Sequence, residues 1–373
     1  MSITIITVPA GLKFSKNEIL ISFSGDNQSS TFRLDLKKQN NVLIASLEGK
    51  LNPSFCLSFD LSEILDAYPD YYIAAINSVV HNQGVLFRYK FTITELSPGS
   101  EVLASYISEV LPVLKGGIAQ GFLSDPFVWM KENKKFLTHA QTITILVNQH
   151  YFLDYLHLTE LITDLSVKAK LIYTDGSFYT LVLQNHDQIE PGMILRINAG
   201  FNDNLMQLPF PLKTISHYII TVENTTQTFA AMLFEIDYAY YRNPVFFLYG
   251  NSLGGIDGAY LSGRSQVKLK PEMQLAERYI AAGKKVITFG HTITRELETA
   301  TGYKSKKEIE RLVEIFLTCF IFEIVNEALV PVIIDPSSSL MIDQSANLNA
   351  ATIKYSRAAV NRTFTPDLFD VKN

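Results

Sequence analysis

Short apolar runs that alternate with polar residues at period two recur along the first hundred residues of the chain, and they narrow what it can fold into. Thr31-Phe32-Arg33-Leu34-Asp35-Leu36 alternates strictly, and so does Cys56-Leu57-Ser58-Phe59-Asp60-Leu61. That spacing suits a strand with one wet face and one buried face. Glu18-Ile19-Leu20-Ile21-Ser22-Phe23 is a further run, closed by the turn cluster Ser24-Gly25-Asp26-Asn27. Short strands spaced roughly ten residues apart predict a β-sandwich. One short helix is expected at residues 62–68, with Ser62 as its N-cap and Pro69 as its stop. Another strand over residues 85–93 completes the unit, and Ser97-Pro98-Gly99-Ser100 marks its boundary.

The expected fold class is mainly β, with two β-sandwich domains of fibronectin or immunoglobulin kind and a C-terminal α+β domain. The first sandwich covers residues 1–98. Residues 99–136, with Lys115-Gly116-Gly117-Ile118 and Phe127-Val128-Trp129-Met130, read as a connector packed between domains. The second sandwich covers 137–263. Its clearest signal is Asp175-Gly176 between two β-rich runs, which predicts a type I′ hairpin turn because glycine supplies the positive φ. Further strands are expected at 217–222, 230–236 and 244–249. No internal repeat shows that the two sandwiches are a duplication.

Residues 264–373 change character. Ser305-Lys306-Lys307-Glu308 has the form of a capping box. Behind it Ile309, Leu312, Val313, Phe316 and Leu317 fall on one helical face. That period formally continues through Phe320, Ile321 and Ile324. The crowding of β-branched and aromatic residues in 319–325 instead predicts a helix over 305–318 followed by a hairpin. Pro331 places the second strand of that hairpin at an edge or bulge. Thr365-Pro366-Asp367-Leu368-Phe369 reads as an extended tail.

Composition bounds the function. Apolar residues make up 47% and charged residues 18% of 373 residues, ample for a buried core and poor for disorder. The net charge of −5 gives no basic excess for nucleic acid, and Lys304-Ser305-Lys306-Lys307 reads as a solvated helix start. The N-terminal segment reads as a strand and not as a secretory signal. No run is apolar for the ~18 residues of a membrane-spanning helix, so no membrane insertion is expected. Cys56 and Cys319, each in an apolar run, read as buried free thiols.

No catalytic residue, no cofactor and no metal is expected. Seven histidines are scattered, without an HExxH motif. His150 and His157 flank Asp154, which reads as coincidence. Gly250-Asn251-Ser252-Leu253-Gly254-Gly255 resembles a phosphate loop, but it lacks the Lys-Ser/Thr that reaches phosphate and metal, and it reads as a strand-to-strand turn. No GxSxG elbow occurs, and no carboxylate pair is singled out. Tyr238, Tyr240 and Tyr241 could stack on a sugar, yet such rings are more often core or interface.

Residues 245–257, Val-Phe-Phe-Leu-Tyr-Gly-Asn-Ser-Leu-Gly-Gly-Ile-Asp, resemble a signature FFLYxNSLGGxD of conserved tail-module proteins of Bacteroidetes phages and prophages. Phe59-Asp60-Leu61-Ser62-Glu63-Ile64-Leu65, Gly116-Gly117-Ile118, Lys135-Phe136-Leu137-Thr138, Thr301-Gly302-Tyr303-Lys304-Ser305-Lys306 and Val330-Pro331-Val332-Ile333-Ile334-Asp335 are similar in order and spacing, so the resemblance spans nearly the whole chain. One departure is His139, where the family usually carries tryptophan. The resemblance implies a virion protein of the tail, tail tip or baseplate, made in the bacterial cytoplasm. It carries over no catalytic residue.

The expected function is therefore structural. The chain would assemble with other copies of itself in a ring or hub and with other phage tail proteins, through interfaces well above ~1,000 Å². The alternative is a receptor- or glycan-binding tail-tip module of the same particle.

Overall fold

A computed structural model describes residues 3–73, 83–118, 132–133, 135–158, 160–201, 213–280, 283–338, 340, 346 and 348–358. For residues 83, 272, 274, 276, 278–280, 283–285 and 287–294 it describes the backbone alone. The segments Phe127-Val128-Trp129-Met130 and Thr365-Pro366-Asp367-Leu368-Phe369 lie outside the described residues. The fold is mainly β, as expected.

The first unit contains β1 (Thr4–Thr7), β2 (Lys13–Phe14), β3 (Leu20–Ser24), β4 (Thr31–Lys38), β5 (Leu43–Gly49), β6 (Cys56–Asp60), β7 (Leu86–Leu96), β8 (Val102–Ile107) and β9 (Leu111–Leu114). One sheet has the order β1-β3-β6. The other runs β2-β9-β7-β4-β5, with β8 also on β7. The alternating residues Phe32, Leu34 and Leu36 of β4 meet Ile21 and Phe23 of β3 in one core, so the two sheets form a sandwich. The rings of Phe23 and Phe32 lie 5.4 Å apart across it.

The segment expected as a connector is in part sheet. Strands β8 and β9 both pair antiparallel with β7, because a turn at residues 97–101 folds the chain back: Ser97 N–H donates to Glu101 O and Ser100 N–H to Ser97 O. Helix α1 spans Ser62–Asp66, and Ser62 is not its cap. The Asp60 carboxylate receives the Ser62 N–H instead.

The second unit contains β10 (Thr142–Leu146), β11 (Phe152–Leu156), β12 (Ile162–Tyr173), β13 (Phe178–Ile189), β14 (Ile194–Asn198), β15 (Ile215–Glu223) and β16 (Thr228–Asp237). A five-stranded sheet, β10-β16-β15-β12-β13, shares its core with the pair β11-β14. Tyr218 and Phe234, cross-strand partners, stack at 4.7 Å. The β12–β13 hairpin turns at Asp175-Gly176, but only Gly176 has positive φ, +80°. A type I′ turn needs two such residues, so the glycine closes a longer turn in the left-handed conformation instead.

The third unit contains β17 (Val245–Gly250), β18 (Ile256–Leu261), β19 (Ser265–Ile280), β20 (Gly283–Ala300), β21 (Lys304–Ser305), helices α2 (Lys306–Arg311) and α3 (Glu314–Leu317), β22 (Ile321–Val325), β23 (Ala328–Ile334), β24 (Leu348–Asn349) and β25 (Thr352–Arg357). Its sheet has the order β18-β17-β22-β23-β25-β20-β19. Strands β17 and β18, expected in the second sandwich, belong here because β17 pairs with β22. Pro331 lies in an interior strand and not at an edge. It sits where β23 changes neighbours, pairing with β22 up to residue 331 and with β25 from 332, so the missing N–H falls at the hand-over.

The capping box at Ser305 is present. Glu308 N–H donates to Ser305 Oγ, and Ser305 N–H to Glu308 Oε2 at 3.0 Å. The buried face differs from the expected one: Ile309, Leu312 and Ile315 are buried, whereas Val313 and Leu317 are exposed. The cause is a tight turn between α2 and α3. Val313 N–H bonds Glu310 O, and Ile315 N–H bonds Leu312 O, and i→i−3 bonding gives three residues per turn. The thiols also depart from expectation. Both are free, but Cys56 is half-buried and Cys319 is exposed.

Candidate assembly surface

The signature segment forms the joint between the three units. Strands β17 and β18 are joined by Asn251 to Gly255, where Asn251 N–H bonds Gly255 O at 2.9 Å. The Asn251 side chain fixes this loop by accepting from the N–H groups of Leu253 and Gly255, at 2.9 and 3.0 Å. Its amide then donates to Leu137 O in the second unit, at 2.8 Å. Towards the first unit, Tyr71 Oη donates to Asn251 O, and Gly117 N–H donates to Ser252 O at 2.9 Å. Towards the helices, Glu314 accepts from Ser252 N–H and Ser252 Oγ, at 2.9 and 2.7 Å.

His139 reaches the same loop, its Nε2 lying 2.9 Å from Ser252 Oγ. Three motifs far apart in sequence, at residues 116–118, 135–138 and 245–257, therefore meet in one place. The glycines are needed there because backbones touch. A Cβ on Gly255 would stand 2.1 Å from Leu137 O, and one on Gly116, whose φ is +121°, would stand 2.1 Å from Ser252 O.

Several polar groups buried beneath the joint are paired, although Asp257 Oδ2 and Tyr249 Oη have no hydrogen-bond partner among the described residues. Asp154 and Arg196 form a two-pronged ion pair at 2.9 and 3.0 Å, and Asp154 also accepts Ile256 N–H at 3.0 Å. The Arg196 guanidinium reaches Tyr72 O of the first unit. Tyr151 Oη donates to Asp257 Oδ1 at 2.9 Å. Burial, followed by the Asp257 charge, holds the Tyr151 hydroxyl well above the usual phenol range. An apolar cluster, including Phe14, Leu137, Phe152, Leu248 and Leu253, seals the three-way contact. The loop is thus a structural joint: its backbone N–H groups are engaged within the protein, and it has no phosphate-binding form.

The other groups considered from sequence do not converge on chemistry. Asp154 is taken by Arg196, while His157 bonds Glu160 O at 2.9 Å. Among the described residues no three metal-ligating side chains cluster. Tyr238 and Tyr241 have hydrogen-bonded hydroxyls, to Ile215 O at 2.7 Å and to Asp237 at 3.0 Å, while the rings of Tyr238 and Tyr240 are both exposed, Tyr240 the more fully. Lys304 is buried, not solvated. Its Nζ lies 3.5 Å from the centre of the Tyr260 ring, and burial lowers its pKa to about 8 against the pull of Glu308.

The surface suited to a partner is the arm built by β19 and β20, strands of 16 and 18 residues. Strand β25 pairs with β20 only at residues 297–300, so most of the hairpin projects past its sheet. Residues at i and i+2 share a face of a strand. On β19 one face carries Val267, Leu269, Met273 and Leu275, exposed at 60%, 57%, 62% and 60%, with Arg295 of β20 at the register position opposite Leu269. The opposite face carries Lys268 and Lys270, paired with Glu298 and Glu296 at 3.1 and 3.0 Å. The expectations above contain no such arm. The alternation Val267-Lys268-Leu269-Lys270 signals it, but Ala281-Ala282 has none of the Asn-Gly chemistry that marks a hairpin.

No family model matches the chain, and no curated protein matches it. Among solved structures, the periplasmic chaperone SfaE is similar at 9% identity, over 63% of this chain and 100% of that chain, with a TM-score of 0.20. Dpr2 Ig1-Ig2 in complex with DIP-Theta Ig1-Ig3 is similar at 7% identity, over 99% of this chain and 92% of that chain, with a TM-score of 0.18. Likeness at this level carries no argument about function.

Proposed function

We propose that the chain is a structural component of a bacteriophage tail, tail tip or baseplate, acting by assembly with copies of itself and with other tail proteins. The observation that carries the assembly reading is the exposed apolar stripe of β19 on the projecting arm. A two-stranded hairpin is marginal in water unless something covers its apolar face, and contiguous exposed apolar surface marks interaction sites. The ion-paired face supports the same reading, since it stays compatible with water after the other face is covered. The phage setting follows from the ordered motifs of the sequence. The receptor- or glycan-binding alternative has the exposed rings of Tyr238 and Tyr240 in its favour. A reconstruction of a phage particle encoding this chain tests the proposal. Density for several copies in the tail is the expected result, and a tail without the chain contradicts it.

A further inference from the structure

We propose that one internal water molecule binds between helix α2 and strand β10, accepting from Arg311 Nε–H and Lys304 Nζ–H and donating to Glu308 Oε1. The site is independent of the assembly reading. Three observations point to it.

The first is a set of unmet partners. Arg311 Nε is buried and meets no acceptor among the described residues, and a buried donor left unpaired is costly. Lys304 is buried as well. Its ammonium rests against the Tyr260 ring, with Glu308 Oε1 at 3.9 Å, beyond hydrogen-bond length. Glu308 Oε2 is already occupied by the N–H and hydroxyl of Ser305, at 3.0 and 2.7 Å. Oε1 is therefore the oxygen left to accept.

The second is room. A cavity of about 10 Å³ is lined by Thr144, Gln149, Tyr260, Lys304, Glu308 and Arg311. That is the space of a single water, which needs two to four polar partners when buried. Two donors and one acceptor meet that requirement.

The third is charge, which selects water over an ion. Lys304 and Arg311 repel a cation. An anion would face the Glu308 carboxylate, and the cavity is too small for one larger than water. A water molecule accepts from both cations and donates to the carboxylate at the same time.

The water joins two units, because Thr144 and Gln149 belong to the second and Lys304, Glu308 and Arg311 to the third. It also supplies a hydrogen bond to the Lys304 charge. The charged groups facing that amine are Glu308, Arg311 and Asp237, and burial outweighs the two carboxylates, lowering its pKa to about 8.

The test is a crystal structure of the full chain at a resolution that orders internal waters, with a second crystal soaked in bromide. One peak within hydrogen-bond distance of Arg311 Nε, Lys304 Nζ and Glu308 Oε1, without anomalous signal, is the expected result. A bromide peak at that position, a direct Lys304–Glu308 hydrogen bond, or a cavity without density overturns the site. In solution, Thr144→Leu fills the cavity and displaces the water. The titration midpoint of Lys304, followed by heteronuclear NMR of the lysine side chains, should then fall by about half a pH unit or more, because the charged amine loses an acceptor. An unchanged midpoint in the folded variant overturns the site, and if the variant does not fold, the wild-type crystals decide alone.

Discussion

Two hairpins adjacent in sequence have opposite roles. The β17–β18 hairpin turns inside the protein, and its loop is touched by all three units. The β19–β20 hairpin begins four residues later and carries its apolar side chains into solvent. The first uses glycine where backbones approach and asparagine where a side chain must stand in for backbone. The second uses plain alternation along β19, apolar on one face and ion pairs on the other. Stability therefore resides in the first hairpin, and the proposed function assigns association to the second. A substitution in either should change one property and spare the other.

The largest effect is expected at the joint. Gly255→Ala places a Cβ against Leu137 O and should cost more than about 3 kcal/mol, read as a lower urea midpoint or as loss of soluble protein. Arg196→Met leaves Asp154 buried without its cation, and breaking such a pair costs about 3–5 kcal/mol. If either variant kept the wild-type midpoint, the loop would not be the joint described above. Asn251→Ala removes three hydrogen bonds and should cost about 2–4 kcal/mol by the same measurement.

Lys304 sharpens the comparison through pH. Its pKa falls from the ordinary 10.5 to about 8 in the folded protein, chiefly by burial. Between those values the unfolded chain binds the extra proton, so stability rises as pH increases through this window, and the cost is fully present below about pH 8. Lys304→Met should be more stable than wild type at pH 7 by about 1–3 kcal/mol, with the gap closing towards pH 10 in parallel thermal melts. The smallest effect belongs to the arm. Val267→Thr/Leu275→Thr should change folding stability by no more than about 0.5 kcal/mol, while weakening association in sedimentation.

Much of the fold was legible where local chemistry decides it. Alternation in residues 31–36 located β4, and the Ser305–Glu308 box located the start of α2. Elsewhere non-local partners decided. The run at 245–250 is a strand in either context, and only its pairing with β22 assigns it to the third sheet. The turn between α2 and α3 shifted the buried face from Val313 to Ile315, which helical periodicity could not foresee. The motif at 245–257 was legible as a strand followed by a strand-to-strand turn, but its role as a joint depends on residues more than a hundred positions away, at Tyr71, Gly117 and Leu137. The arm was hidden because its alternation stops at Leu275, short of the end of the strand, and Ala281-Ala282 carries no Asn-Gly turn signal.

Hydrogen exchange of the full chain, compared at low and high protein concentration, tests the division between joint and arm most directly. The N–H groups of Leu253 and Gly255 should exchange only by global unfolding, at a rate independent of concentration. Those of the arm strands should exchange much faster in the dilute protein and become protected as concentration rises. Arm amides as protected as the joint in the dilute protein, or unchanged by concentration, would contradict the account.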